Sequence, residues 1–377
     1  MIREMLRAGP RALLPLAAAG ILAAVPGALA GAGLTAQEIE IAEAERTLET
    51  LVESYGPSGM EGPVREQVKR MLPGWAASET DTAGNLWVRV GRGDPVVVFV
   101  AHLDEIGFRV SAVREDGTLE LERLGGFFPS VFEGRPALVH TGSAVVPGII
   151  LPRDSLGASP VRTPPALRAD IGAGSRAAVR ARGVEVGSTV TMPKEYARLA
   201  GTRATGRSFD DRVGSTALVL ALRHLDRAKL RHQVIFLWSV REEVGLEGAE
   251  AAARMLGTTA ARVHAVDTFV SADAPFEIQA FGNAPLGAGA VIRAVDNSAV
   301  APRPLVDSLL ALAAARRIPI QLGGTNGGND GSAFAPWGVP DVAIAWPLRY
   351  SHSPAEVADL ADVTALARLV RAIAEDW

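Results

Sequence analysis

The order of hydrophobic and polar positions divides the chain into stretches of different texture. Over residues 37–55, Ile39, Ile41, Leu48, Leu51 and Val52 recur at rough helical spacing among acids, which predicts an amphipathic helix. Gly56-Pro57-Ser58-Gly59 breaks it, and residues 61–72 resume as helix. Turn chemistry at Asp81-Thr82-Ala83-Gly84-Asn85 leads into a strand over 86–90. Residues 95–101 form a second buried strand that runs into His102-Leu103-Asp104-Glu105. From about residue 112 to 202 the runs shorten. Apolar segments at 118–124, 137–140, 144–150 and 184–192 are punctuated by Gly and Pro, with a Pro-rich loop at 152–165. That texture predicts a small β-rich module.

Helical and strand periods then alternate again. Residues 213–225 are apolar almost all round, the mark of a buried helix, and Asp210 or Asp211 can cap its positive end. A helix at 249–255, a strand at 263–270 carrying Asp267 and a helix at 305–314 follow. After a Gly/Asn loop at 323–331 come a last buried strand at 341–346 and a closing helix at 362–373. The expected organisation is an α/β protein in two pieces, 37–112 and 203–377, interrupted by a β-rich domain at 113–202.

The run Val234-Ile235-Phe236-Leu237-Trp238 is apolar and of strand length, as in a strand buried on both faces. Directly behind it stand Val240-Arg241-Glu242-Glu243-Val244-Gly245. Two carboxylates at the carboxyl end of such a strand are costly without partners, and ligands of open α/β sheets gather at that end. Neighbouring side chains of an extended segment point opposite ways. Glu242 and Glu243 can therefore do different work, one holding a metal and the other moving a proton.

His102, Asp210, Asp267 and His352 also fall at predicted strand ends or a helix tip. Singly, each has an ordinary reading as a core histidine, a helix cap, a loop acid or a surface residue. Together with the glutamates they form an imidazole and carboxylate set without thiolate, which suits zinc, cobalt or manganese. Two such ions about 3.5–4 Å apart typically share a carboxylate.

Composition narrows the setting. A length of 377 residues suggests about two domains, and 48% hydrophobic residues suffice for a core. The formal charge of −4, without a basic stripe or interleaved aromatics, gives nothing for nucleic acid to bind. The absence of cysteine excludes disulfides, thiolate metal sites and a cysteine nucleophile. Arg3, Arg7 and Arg11 precede an uncharged Leu/Ala-rich run at 12–30 that ends Ala28-Leu29-Ala30. These are the parts of a secretory signal peptide, so export with cleavage near Ala30 is expected, and no stable membrane association once processed. An uncleaved anchor is the alternative.

Ala101-His102-Leu103-Asp104-Glu105-Ile106-Gly107-Phe108, Ser208-Phe209-Asp210-Asp211-Arg212-Val213-Gly214 and Arg241-Glu242-Glu243-Val244-Gly245-Leu246-Glu247-Gly248-Ala249 resemble the motifs of the M42 family of metalloaminopeptidases. Asp170-Ile171-Gly172-Ala173, Gly323-Gly324-Thr325 and Arg349-Tyr350-Ser351-His352-Ser353 resemble further landmarks, and the likeness runs from about Leu48 to the C-terminus. The segment at 325–332 is longer than its usual counterpart. The resemblance implies a three-layer αβα metallopeptidase domain with a small inserted β domain of barrel or PDZ-like form. It implies two divalent ions, zinc foremost and cobalt or manganese as alternatives. His102 and Asp267 would hold one, Glu243 and His352 the other, and Asp210 would bridge them. Asp104 would accept a hydrogen bond from the His102 ring, and Glu242 would be the general base. Implied too are peptide substrates with a free N-terminus and a homo-oligomer assembled with help from the insertion. Another dinuclear amidohydrolase or carboxypeptidase on the same scaffold, or a non-catalytic exported peptide-binding protein, are the alternatives.

Overall fold

The structure, a computed structural model, describes residues 35–153, 166–274 and 282–376. The expected signal segment at 1–30 lies outside the described residues, as does most of the Pro-rich loop. In chain order come α1 (Ala36–Val52), α2 (Gly62–Met71), β1 (Ser78–Thr80), β2 (Leu86–Val90) and β3 (Val96–His102). Next are β4 (Gly107–Val113), β5 (Leu119–Leu124), β6 (Pro136–His140), β7 (Val145–Ile150), β8 (Leu167–Asp170), α3 (Arg176–Arg180) and β9 (Thr189–Thr191). They are followed by β10 (Ala197–Arg198), β11 (Arg203–Gly206), α4 (Phe209–His224), β12 (Gln233–Ser239), α5 (Glu247–Leu256) and β13 (Ala260–Val270). The chain closes with β14 (Ala290–Val295), α6 (Arg303–Arg316), β15 (Ile320–Gly324), β16 (Ala343–Leu348), β17 (Glu356–Asp359) and α7 (Leu360–Asp376).

Alternation along the central strands sorts their side chains into two cores. Val97, Phe99 and Ala101 of β3 and Val234, Phe236 and Trp238 of β12 pack into one cluster with α1, α4 and α7. Val96, Val98 and Val100, with Ile235 and Leu237, pack into another with Ala252, Ala253 and Leu256 of α5 and with Phe334. A period of two on strands buried on both faces thus produces the three αβα layers. The sheet has eight strands in the order β1-β2-β12-β3-β13-β16-β14-β15, and its centre, β12-β3-β13-β16, is parallel. The all-round apolar pattern of α4 is matched by burial of every residue from Phe209 to Leu222.

The insertion is a closed six-stranded barrel, β4-β5-β8-β7-β6-β9, with Phe108, Phe127 and Phe132 in mutual edge-to-face contact in its core. Closure leaves it no unpaired edge. The barrel runs from Gly107 to Thr191, earlier at both ends than the 113–202 expected from texture. β4 supplies Phe108 and Val110 to the barrel core, whereas β10 and β11 leave it to form a three-stranded sheet with β17.

One buried carboxylate ties the chain's entry into the barrel to its exit. Glu105 lies between β3 and β4, and its Oε1 is 2.7 Å from Nζ of Lys194, just beyond β9, and 3.4 Å from Nη2 of Arg212 on α4. Arg207 pairs with Oε2, and Gly56 N–H donates to Oε1 at 2.8 Å. Burial alone would raise the pKa of Glu105, but the three cations hold it far below the usual carboxylate range.

Candidate active site

Because β12, β3, β13 and β16 run in one direction, their carboxyl ends meet on one edge of the sheet, where α/β folds bind ligands. Ser239, the last residue of β12, is in register with His102, the last of β3. Glu242 and Glu243 therefore leave the sheet beside His102. Asp267 sits near the end of β13, and His352 follows β16 through a turn in which Tyr350 and His352 adopt φ of 60° and 57°.

Asp210 is the hub. Its Oδ1 is 3.0 Å from Nε2 of His102, and its Oδ2 is 3.3 Å from Nε2 of His352. Nε2 of His352 is also 3.2 Å from Oε1 of Glu243. Of the two aspartates that could cap α4, Asp211 does so: its Oδ1 accepts Gly214 N–H at 2.8 Å and its Oδ2 accepts His102 N–H at 2.9 Å. Asp210 and Asp211 have non-helical backbone angles, which directs their carboxylates to different neighbours.

Asp104 works differently from the expectation. The Nδ1 of His102 is 3.2 Å from the Asp104 backbone oxygen, whereas the Asp104 carboxylate stands at 3.6 Å, beyond hydrogen-bond reach. That carboxylate instead accepts Ser58 Oγ–H at 2.7 Å and the backbone N–H groups of Glu242 and Glu243 at 2.9 and 3.2 Å. Asp104 thus fastens the loop bearing both glutamates, and the ring of His102 is oriented by the main chain.

The electrostatics follow from crowding acids around two imidazoles. Burial would lower the pKa of His102, but Asp104 and Asp210 hold it well above the ordinary value. Burial works likewise against His352, which Glu243 and Asp210 hold well above it. Asp267 is pushed up to about 6 by burial and Asp210, against the pull of Arg293. Burial, with Asp267, Glu243 and Asp330 nearby, raises Glu242 well above the carboxylate range.

Ligand atoms of His102, Asp210 and Asp267 lie within 4.8 Å of one another, as do those of Asp210, Glu243 and His352. The two groups share Asp210. Oε1 of Glu243 is buried without a hydrogen-bond partner, the state of an atom waiting for a cation. Nitrogen and oxygen donors, an orphaned carboxylate oxygen and an excess of buried acid all fit divalent metal. All seven expected residues come together here, Asp104 by a different contact.

Three further residues surround the ligands, of which Glu356 and Arg293 were not anticipated. Glu356, at the start of β17, accepts Phe209 N–H at 2.7 Å and His352 N–H at 3.1 Å, so it fixes the backbone beside two ligands. Arg293 of β14 is buried, with Nη1 3.7 Å from Oδ2 of Asp267 and Nε 2.7 Å from Asp296, an ion pair rather than an aligned hydrogen bond. Asp330, buried and hydrogen-bonded to Ser239, is pushed up to about 7 by burial and by Asp104 and Asp267. Motif acids within apolar flanks were legible; an arginine inside a strand and an acid on an edge strand carried no such signal.

Histidines and carboxylates grouped at strand ends, on an αβα sandwich interrupted by a barrel, are the equipment of a metal-assisted hydrolase. The model of the M42 glutamyl aminopeptidase family matches residues 84–369, and the chain belongs to that family of peptide hydrolases. It is 29% identical to the putative aminopeptidase FrvX of Escherichia coli over 334 residues, 86% of this chain and 93% of that protein. Identity to the glutamyl aminopeptidase of Lactococcus lactis is also 29%, over 342 residues, 86% of this chain and 94% of the other. Among solved structures, the TET1 peptidase of Pyrococcus horikoshii superposes with a TM-score of 0.81 at 33% identity, covering 89% of this chain and 100% of that one. That peptidase can assemble into a tetrahedron or a large octahedral shell.

Proposed function

We propose that the protein is a metal-dependent aminopeptidase that removes single residues from peptides with a free N-terminus. The observation that carries this is the pair of three-residue ligand groups sharing Asp210, with Glu242 beside them. His102 and Asp267 would hold one divalent ion, zinc foremost, and Glu243 and His352 the other, with Asp210 touching both. Bound there, such ions act as Lewis acids and make water nucleophilic near neutral pH. Glu242, no member of either ligand group, takes the proton of the attacking water and returns it to the leaving amine. Asp104, Ser58 and Glu356 hold the loops rigid around Glu242. Asp104, Asp210, Glu242, Glu243, Asp267 and Asp330 make the site acidic, a field that favours a substrate ammonium over a second carboxylate.

A homo-oligomer is proposed as well, on the likeness to the shell-forming TET1 peptidase and the presence of the barrel.

The test is a panel of aminoacyl p-nitroanilides and short peptides, assayed after chelation and re-addition of zinc, cobalt or manganese. Turnover should vanish with chelation, return with metal and be abolished by N-acetylation, while amidating the C-terminus changes little. Comparable cleavage of acetylated peptides would point to another amidohydrolase. Static light scattering of the same preparation reads the assembly.

A further inference from the structure

The glycines Gly125-Gly126, immediately after β5, belong to the barrel yet touch the candidate metal centre at two points. The carbonyl oxygen of Gly126 lies 2.8 Å from Nδ1 of His352. A carbonyl can only accept, so Nδ1 carries the proton and Nε2 is left as the donor atom, facing Asp210 and Glu243. Gly125 adopts φ +105, and a Cβ there would stand 3.1 Å from Oε2 of Glu243 and 2.6 Å from Cγ2 of Ile106. A Cβ on Gly126 would meet nothing within 4 Å. What matters is thus the missing side chain at 125 and the carbonyl at 126.

We propose that this barrel loop is a positioning element of the metal centre, setting the tautomer of His352 and the place of Glu243. Two of the three residues assigned to the second ion thereby depend on the inserted domain, whereas among the described hydrogen bonds and ion pairs none joins His102 or Asp267 to the loop. The inference rests on the metal reading given above.

The experiment is a cobalt titration of the full metal-free chain, followed by its visible absorbance and by calorimetry. Wild type and Gly142→Ala, whose added Cβ would meet nothing within 4 Å, should bind two equivalents. Gly125→Ala should bind one equivalent normally and the second roughly 10–100-fold more weakly, the loss usual when a ligand's supporting contact goes. The double variant Ile106→Ala/Gly125→Ala relieves the closest clash and keeps the one against Glu243, so it should show the same selective loss even if the single variant folds poorly. Long-range ¹H–¹⁵N spectra of the metal-free wild type, above the pKa of the ring, should show His352 protonated at Nδ1. Equal binding of both ions by the Gly125 variants, or an Nε2-protonated His352 in wild type, overturns the proposal. A wild type that binds no metal overturns the metal reading itself.

Discussion

The backbone N–H of Glu242 donates to Oδ1 of Asp104 at 2.9 Å, anchoring the candidate base to the loop that begins at His102. With the peptide fixed, the Glu242 side chain can be changed without moving its neighbour. Glu242→Gln should keep both metal ions and lose about 10²–10⁴-fold in kcat. Glu243→Gln should instead weaken one ion. Metal analysis beside steady-state kinetics separates them, and loss of metal from Glu242→Gln would reverse the two roles.

Metal binding should release protons. In the metal-free protein His102 and His352 titrate well above the unfolded value of about 6.5. Their ion pairs therefore stabilise the metal-free fold in full below about pH 6.5, and that contribution is lost as pH rises through the raised values. A metal accepts only the neutral ring, so its affinity should fall as pH falls. Calorimetry at pH 7 in buffers of different ionisation enthalpy should report net release of about one proton or more per chain. Heats that do not depend on the buffer would contradict it.

Removing Arg293 should cost stability before it costs chemistry. Its guanidinium lies near Asp267, pairs with Asp296 and donates to the carbonyls of Thr268 at 2.9 Å and Gly328 at 2.7 Å. Arg293→Met strands buried acids, a loss of roughly 3–5 kcal/mol, and it lets the pKa of Asp267 climb further. Urea unfolding in chelator measures the first effect. A change under about 1 kcal/mol would mean the acids find other partners or water.

Export is expected from Arg3, Arg7, Arg11 and the apolar run that follows. N-terminal sequencing of protein from its native host should begin at or near Gly31, and an intact Met1 would refute cleavage.

The legible part of the fold was the part with simple periods. β3 and β12 read as continuous apolar runs, and the ligands fall where those runs stop. β14 was missed because Arg293 interrupts it, its charge matched by Asp296 three residues on and by Asp267 of another strand. β15 was read as loop because of Gly323 and Gly324. A Cβ on Gly323 would lie 2.8 Å from the Phe269 ring of β13, so the glycine records the close approach of that side chain rather than a turn. The choice between Asp210 and Asp211 was open in sequence, since both can cap a helix. The family resemblance put Asp210 in the site, and in the structure the rings of His102 and His352 both reach it.

Glu105 has a consequence for how the chain can be divided. It is the only anion paired with Lys194, Arg207 and Arg212 among the described ion pairs, and all three cations follow the barrel, Lys194 just after β9 and the two arginines after β11. A barrel excised with its junctions, residues 105–194, would carry Glu105 and Lys194 away from both arginines, and the remainder would bury two guanidinium groups without their carboxylate. Cut there, the remainder loses its balanced interior. Heating should accordingly melt barrel and sandwich in one cooperative step, and a relative's barrel can replace this one only if both junctions, Glu105 and Lys194, stay with the sandwich.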